Sequence, residues 1–249
     1  MPRIQSGLLF IHIPRTGGSS IEHYFKLGPS HVQLGLQRIR AQLKVSDIAA
    51  KSVERIRPRR SVSGSNLFGV HRLRIVTQHL SLLELLSLGL ITPPLDNKLE
   101  VLAVSRNPFS RLLSVWNWSS RRVDNPDFNI FVDKLCSWSL RPRARQPHGY
   151  WTHFRSQYEY LNLSGSIFES TPIDVKVLRF ESLGIDFQEF CEERSLGAGQ
   201  LAHRNKTTSA PISWESVATQ TTTQRVLSLY AHDFEYFGYS EDPSQVLAP

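Results

Sequence analysis

The chain has 249 residues, 40% of them hydrophobic, so its length and composition suit a single domain over 1–249 with a sizeable core. A formal net charge of +7 favours anionic partners such as phosphates, nucleic acid, acidic glycans or membrane surfaces. Only two cysteines, Cys136 and Cys191, are present, which excludes a disulfide framework but leaves one bridge between them possible.

Strand-like and helix-like patterns alternate along the chain. Short apolar runs rich in β-branched residues predict four buried parallel strands, at 8–13, 73–77, 99–105 and 174–180. Helical patterns follow them, at 19–26, 81–88, 108–118 and 187–194. This alternation predicts an α/β fold with an open parallel sheet flanked by helices on both faces, in which ligands bind at the carboxyl ends of the strands.

The loop after the first predicted strand has the composition of an anion site. Pro14 fixes φ and ends the strand. Gly17 and Gly18 can adopt positive φ, which lets successive backbone N–H groups converge into a concave nest. The motif is not that of a nucleotide kinase, because the pattern G-x-x-x-x-G-K-[ST] is absent.

Polar side chains around these glycines fit the same purpose. Arg15 supplies a positive charge with a planar fork of donors. Ser19 and Ser20 stand at the start of the following helix, where their hydroxyls can cap the helix or donate to a ligand. The loop predicts a site for a phosphate-like group; the alternative is an ordinary capped turn whose arginine faces solvent.

A second stretch, residues 104–118, again runs from a strand into a helix. Arg106 stands at the predicted strand end, and Arg111 and Ser114 follow within the helix. A residue at a strand tip and one on the first turns of the next helix can meet around one anion. The alternative is a plain helix with a solvated Arg111.

Two further segments stand out. Residues 29–66 form a basic insert, for which three interpretations stay open: a solvated amphipathic helix, a surface for an acidic glycan acceptor, or a nucleic-acid-binding surface. Near the C-terminus, four aromatic residues predict a plug packed back onto the sheet: Phe234, Tyr236, Phe237 and Tyr239.

The two loops together resemble the sulfotransferases that use 3′-phosphoadenosine 5′-phosphosulfate (PAPS), most closely the carbohydrate sulfotransferases of the heparan 2-O and chondroitin type. Residues 14–20 match the family's loop P-[KR]-T-x-[GS]-[ST]-[ST], and Arg106 and Ser114 match its arginine and serine eight residues apart. Further pieces follow in the family's order between about residues 8 and 239: "TQHLSL" at 77–82, "HFRSQYEYL" at 153–161, "VLRFESL" at 177–183, "HRNKTT" at 203–208 and "YAHDFEYFGY" at 230–239.

The resemblance implies a P-loop-like fold and a role for each matched residue. Arg106 and Ser114 would hold the 3′-phosphate of PAPS, and Lys206 and Thr207 would close over its 5′ side. Lysine is commoner in the family at position 15, and alanine at position 17. The 5′-phosphosulfate would be held by the loop residues Arg15, Thr16, Gly17, Gly18, Ser19 and Ser20.

The implied reaction is in-line transfer of the sulfuryl group of PAPS to an acceptor hydroxyl, for which the resemblance predicts a glycan or glycoconjugate. His79 is the candidate general base, because an imidazole pKa of about 6.5 lies close to operating pH, and His71 is the alternative. Arg15 would stabilise the leaving oxygen. His153 and Gln157 are expected either to line the acceptor cleft or to be structural. No metal is predicted, since the histidines and carboxylates lack ligand spacing.

A different class of function fits the same charge, namely a polyanion- or nucleic-acid-binding module that keeps the fold without the activity. For a sulfotransferase we expect no nucleic-acid partner. No apolar run reaches the roughly 18 residues needed to cross a bilayer, and no signal peptide is recognised. We therefore expect a cytoplasmic protein without a membrane anchor, although a luminal domain trimmed of its anchor would have the same features.

Overall fold

The computed structural model describes residues 8–27, 31–35, 72–76, 78–92, 98–120, 127–141, 150–202 and 212–246. The strands in these ranges are β1 (Leu9–Ile11), β2 (His31–Gly35), β3 (Arg72–Val76), β4 (Leu99–Ser105) and β5 (Ile173–Arg179). The α-helices in the same ranges are α1 (Gly18–Tyr24), α2 (Leu82–Ser87), α3 (Pro108–Ser120), α4 (Phe128–Ser139), α5 (Leu183–Glu193), α6 (Gln220–Leu229) and α7 (Ala231–Phe237).

A three-stranded parallel sheet has β4 in the middle, between β1 and β5. β4 is buried along nearly all of its length, as its continuous apolar sequence requires for a central strand. The predicted α/β class is confirmed, and so are the predicted strands near residues 8, 99 and 174. The sheet is smaller than the sequence pattern predicted.

The strand predicted at 73–77 is present as β3, but it is not part of the parallel sheet. It pairs antiparallel with β2, from His31 opposite Val76 to Gly35 opposite Arg72. The sequence of β3 alternates arginine with apolar residues, a pattern typical of antiparallel strands with one apolar face rather than of fully buried parallel ones. The prediction of a parallel strand here was therefore wrong, and β2 comes from the basic insert.

The chain divides into two compact units. The first comprises Met1–His12, Leu27–Leu102 and Tyr160–Lys176. The second comprises Ile13–Lys26, Ala103–Glu159 and Val177–Pro249, so the loop from Ile13 onward and the carboxyl ends of β4 and β5 all belong to it. The predicted single domain over 1–249 stays a prediction.

The second unit has an aromatic core centred on Phe109 of α3. The Phe109 ring lies 4.6 Å from that of Trp214 and 5.0 Å from that of Phe234, measured between centroids. The Tyr239 hydroxyl is 3.0 Å from Ser105 Oγ at the end of β4. Of the predicted aromatic plug, Tyr239 therefore contacts the end of a sheet strand, Phe234 packs on helix α3, and Tyr236 is 50% exposed.

Candidate functional site

The loop after β1 is a tight turn that leads directly into α1. Gly17 precedes the helix with φ 85° and ψ 3°, a left-handed conformation that favours glycine. A Cβ at this position would lie 2.9 Å from Leu183 Cδ2 and 3.1 Å from Phe180 Cδ2. Both the backbone and the space around it therefore require a glycine at position 17.

The three hydroxyl residues of this loop, Thr16, Ser19 and Ser20, have different structural roles. Thr16 is fully buried, and its Oγ1 donates to the Ile13 carbonyl at 2.8 Å, which closes the turn. Ser19 and Ser20 lie inside α1, and the residue that caps the helix is Gly17, without a side-chain hydrogen bond. Of the two alternatives for these serines, capping of the helix is therefore wrong and donation to a ligand stays a prediction; both serines are half-buried.

Arg15 joins this loop to helix α3. Its φ of 70° is in the left-handed region, which is uncommon for a residue other than glycine. Its Nη2 and Nε donate to Ser114 Oγ at 2.8 and 3.1 Å, and Nη2 also lies 3.3 Å from the Ser114 carbonyl oxygen. The arginine matched to the 5′ side of PAPS thus contacts the serine matched to its 3′-phosphate.

Arg106, the residue that follows β4, is 7% exposed. Its Nε donates to Ser110 Oγ at 2.9 Å, its Nη1 donates to the Arg15 carbonyl at 3.3 Å, and its guanidinium lies 4.1 Å from the centre of the Phe180 ring. The remaining N–H groups of this guanidinium have no acceptor among the described residues. They are not fully buried, so water or a ligand can reach them.

Arg111 is almost fully buried, so the alternative of a solvated arginine is wrong. Its guanidinium donates to three backbone carbonyls, those of Pro14, Arg155 and His153, at 3.1, 3.1 and 3.2 Å. These bonds tie the loop after β1 to the segment around residue 154. Arg111 therefore organises the backbone and also brings a third positive charge to this region.

The Arg106 guanidinium has charged neighbours of both signs. Burial lowers the pKa of Arg106 to about 10, the Glu181 carboxylate opposes this shift, and the positive charges of Arg15 and Arg111 add to it. A pKa of about 10 still leaves the guanidinium charged at neutral pH. Among the described residues, two like charges and one carboxylate therefore act on the Arg106 guanidinium.

Glu181 is held by groups of the same unit. Its Oε1 accepts from the Asn107 backbone N–H at 2.8 Å, and its Oε2 accepts from the Tyr239 hydroxyl at 3.1 Å. Burial, and then the Glu181 charge, raise the pKa of Tyr239. Tyr239 is therefore a hydrogen-bond donor at neutral pH, not an anion.

Gln157 is fully buried and bridges Arg106 to the C-terminal helix. Its Nε2 donates to the Arg106 carbonyl at 2.8 Å, and its backbone N–H donates to Asp233 Oδ2 at 2.9 Å. The His153 ring lies 4.5 Å from that of Trp118. For Gln157 these contacts favour the structural alternative over an acceptor-lining role.

His79 belongs to the first unit and follows β3 by three residues. Its Nδ1 lies 3.3 Å from the His12 carbonyl oxygen, and the two imidazole rings meet edge to face with centroids 4.6 Å apart. A carbonyl only accepts, so a hydrogen bond at this contact requires the proton on Nδ1. His12 was not among the residues predicted from the sequence, although it lies in an apolar run directly after β1.

Several predicted residues lie outside the part of the chain that the structure describes: Lys206, Thr207, His71 and most of the basic insert. Within the described ranges, no group of histidines, cysteines and carboxylates is arranged to hold a metal ion. None of the helices in those ranges is long and apolar enough to cross a membrane.

The two cysteines, Cys136 and Cys191, are free thiols. Burial raises the pKa of both thiols, which favours the protonated, unreactive form. The bridge between them that the sequence left possible is therefore not formed.

No protein-family model matches the chain, and neither curated proteins nor solved structures are significantly similar to it.

Proposed function

We propose that this protein is a PAPS-dependent sulfotransferase with a P-loop-like fold, which transfers a sulfuryl group to a hydroxyl of a carbohydrate acceptor. The observation that carries the proposal is the buried Arg106 guanidinium, whose charge persists beside those of Arg15 and Arg111. Buried like charges are costly unless an opposite charge joins them. A phosphate monoester, with a charge of about −2 near neutral pH, supplies that charge and accepts from several donors.

The relation between two distant stretches of sequence supports the same proposal. The loop 14–20 and the pair Arg106 and Ser114 were matched to opposite ends of one nucleotide. In the second unit, Arg15 donates to Ser114, and Arg106 donates to the Arg15 carbonyl. Residues expected to share one bisphosphate ligand therefore lie in direct contact, across 99 positions in the sequence for Arg15 and Ser114.

The chain's own residues have distinct tasks in this proposal. PAPS supplies the sulfuryl group, whose bond to the 5′-phosphate oxygen breaks as its bond to the acceptor oxygen forms. Arg15 neutralises charge on the departing oxygen, which is the role of an electrostatic stabiliser. Arg106 and Ser114 bind and orient the 3′-phosphate. His79 is the general base that accepts the proton of the acceptor hydroxyl.

A transfer assay tests the proposal. The protein is incubated with PAPS carrying a labelled sulfuryl group and an extract of its own source, and the labelled product is identified. We expect label in a glycan fraction, with less label when Arg106 is replaced by lysine. Label that stays in PAPS, together with salt-sensitive binding to random DNA, would instead support a polyanion-binding module.

A further inference from the structure

The Glu181 carboxylate is held in place at both of its oxygens. Oε1 accepts from the Asn107 backbone N–H at 2.8 Å, and Oε2 accepts from the Tyr239 hydroxyl at 3.1 Å. The Tyr239 hydroxyl also lies 3.0 Å from Ser105 Oγ, and the centre of its ring lies 4.7 Å from Cζ of Arg179. The carboxylate therefore has a fixed position next to the residues that follow β4.

This carboxylate acts on Arg106 without bonding to it. After burial, the Glu181 charge is the largest influence on the pKa of Arg106. Within the described ranges, however, Glu181 forms neither an ion pair nor a hydrogen bond with Arg106. The guanidinium donates instead to Ser110 Oγ and to the Arg15 carbonyl, at 2.9 and 3.3 Å. Its other N–H groups stay open to a ligand, while a negative charge is kept close to them.

The charge of Glu181 must oppose the binding of an anion to Arg106. Like charges repel, and the repulsion is stronger where little water is present, as it is beside the nearly buried Arg106. Tyr239 does not change this balance, because burial and then the Glu181 charge raise its pKa and keep its hydroxyl neutral. An anion bound at Arg106 is therefore attracted by the guanidinium and repelled by the carboxylate.

We propose that Glu181 limits the affinity of the Arg106 site: its fixed carboxylate weakens the binding of an anion there and so speeds the release of a phosphate-bearing product. The inference rests on the proposed function for the identity of that product, 3′-phosphoadenosine 5′-phosphate, which has to leave after each transfer. A carboxylate that only fastened Asn107 and Tyr239 would instead support binding. The two roles therefore predict changes of opposite sign when the charge is removed.

Glu181→Gln separates the charge from the hydrogen bonds. The amide oxygen can accept from the Asn107 N–H, and the amide NH₂ can donate to the Tyr239 oxygen while that hydroxyl donates to Ser105. We expect calorimetry to show about tenfold tighter binding of 3′-phosphoadenosine 5′-phosphate, and stopped-flow displacement to show about tenfold slower release. The gain should shrink at high salt, because salt screens the charge that was removed.

Two controls isolate the charge at this position. Glu189→Gln makes the same change in net charge at an exposed residue of α5, and it should alter the affinity by about twofold or less. Tyr239→Phe removes a hydrogen bond of Glu181 but keeps its charge, so it should not tighten binding. Glu181→Met, also uncharged and of similar length, replaces Glu181→Gln if that variant does not fold. Unchanged or weaker binding in the uncharged variant, or an equal gain in either control, would overturn the inference.

Inorganic phosphate tests the same charge without a nucleotide. We expect phosphate to raise the thermal unfolding midpoint of Glu181→Gln more than that of the parent protein or of Glu189→Gln. If the parent protein bound neither nucleotide, the proposed function would fail, and the phosphate comparison would decide the inference alone. Nucleotide binding without a gain in Glu181→Gln would overturn only the role of Glu181. A parent protein that bound neither nucleotide nor phosphate would contradict both.

Discussion

Arg106 and Gln157, 51 positions apart, exchange two hydrogen bonds: the Arg106 backbone N–H donates to Gln157 Oε1 at 2.9 Å, and Gln157 Nε2 donates to the Arg106 carbonyl at 2.8 Å. The side-chain amide thus pairs with the backbone as a neighbouring strand would, directly beyond the end of β4. Gln157 also contacts the buried Asp233 carboxylate through its backbone N–H. Helix α7 therefore fixes the position of Arg106 through Asp233 and Gln157.

This pairing predicts that Gln157→Ala destabilises the protein. The change leaves the Arg106 backbone N–H and carbonyl without their partners in a buried site, which costs about 1–3 kcal/mol for each unsatisfied group. Urea unfolding measures the free energy of unfolding. The control is Gln188→Ala, since Gln188 is exposed and bonds only to Glu192. Equal unfolding midpoints for the two variants would contradict the structural role of Gln157.

Gly17→Ala should be far more damaging than Gly165→Ala. Both glycines have positive φ, at 85° and 69°, so each substitution incurs similar backbone strain. Only at Gly17 would the new Cβ meet other atoms, whereas nothing lies within 4 Å at Gly165. We expect Gly17→Ala to lower the free energy of unfolding by roughly 1–3 kcal/mol more than Gly165→Ala, the scale of overpacking. Similar losses would show that Leu183 and Phe180 move aside.

Arg15→Ala should reduce kcat more than it reduces affinity for 3′-phosphoadenosine 5′-phosphate. The reason is that the charge on the departing oxygen is greater in the transition state than in the bound donor. Arg15→Lys, which restores the residue commonest in the resembled family, should recover much of the loss. Steady-state kinetics and a direct binding measurement are compared, with the exposed Arg194→Ala as control. An unchanged kcat in Arg15→Ala would mean that this arginine only completes a turn.

His79→Ala should affect turnover without affecting cofactor binding. Loss of a general base lowers kcat by about 10²–10⁴-fold, and the dissociation constant of 3′-phosphoadenosine 5′-phosphate should change little. The exposed His232→Ala serves as the control. Near-normal turnover of His79→Ala would remove the base assignment and direct attention to His71 or His12.

The features predicted correctly from the sequence are those with local signals. The strand, turn and helix around residues 8–24 follow from an apolar run, a proline and two glycines. Helix α4 also has a local signal. Asp127 accepts from the N–H groups of Asn129 and Ile130, and apolar residues follow at helical spacing. This helix was nevertheless not predicted from the sequence. The orientation of β3 was misassigned, because a short strand does not reveal its partner.

The contacts that define the site could not be predicted, because they join residues far apart in the chain. No local pattern indicates that Arg15 bonds Ser114 or that Arg111 binds three carbonyls. The buried Asp233 carboxylate likewise accepts from the backbone N–H groups of Gln157 and Tyr158. The sequence around Asp233 showed only an aromatic pattern, which does not indicate these bonds. A sequence motif predicted the residues of the candidate anion site, whereas their hydrogen-bond partners follow only from the fold.

The central claim is that Arg15, Arg106 and Arg111 form the binding site for the nucleotide of PAPS. Calorimetric titration with 3′-phosphoadenosine 5′-phosphate and with adenosine 5′-phosphate tests this claim most directly. We predict tighter binding of the bisphosphate, and a loss of about 1.5–3 kcal/mol for it in Arg106→Lys, with a smaller loss for adenosine 5′-phosphate. Equal affinity of the parent protein for the two nucleotides would contradict the account.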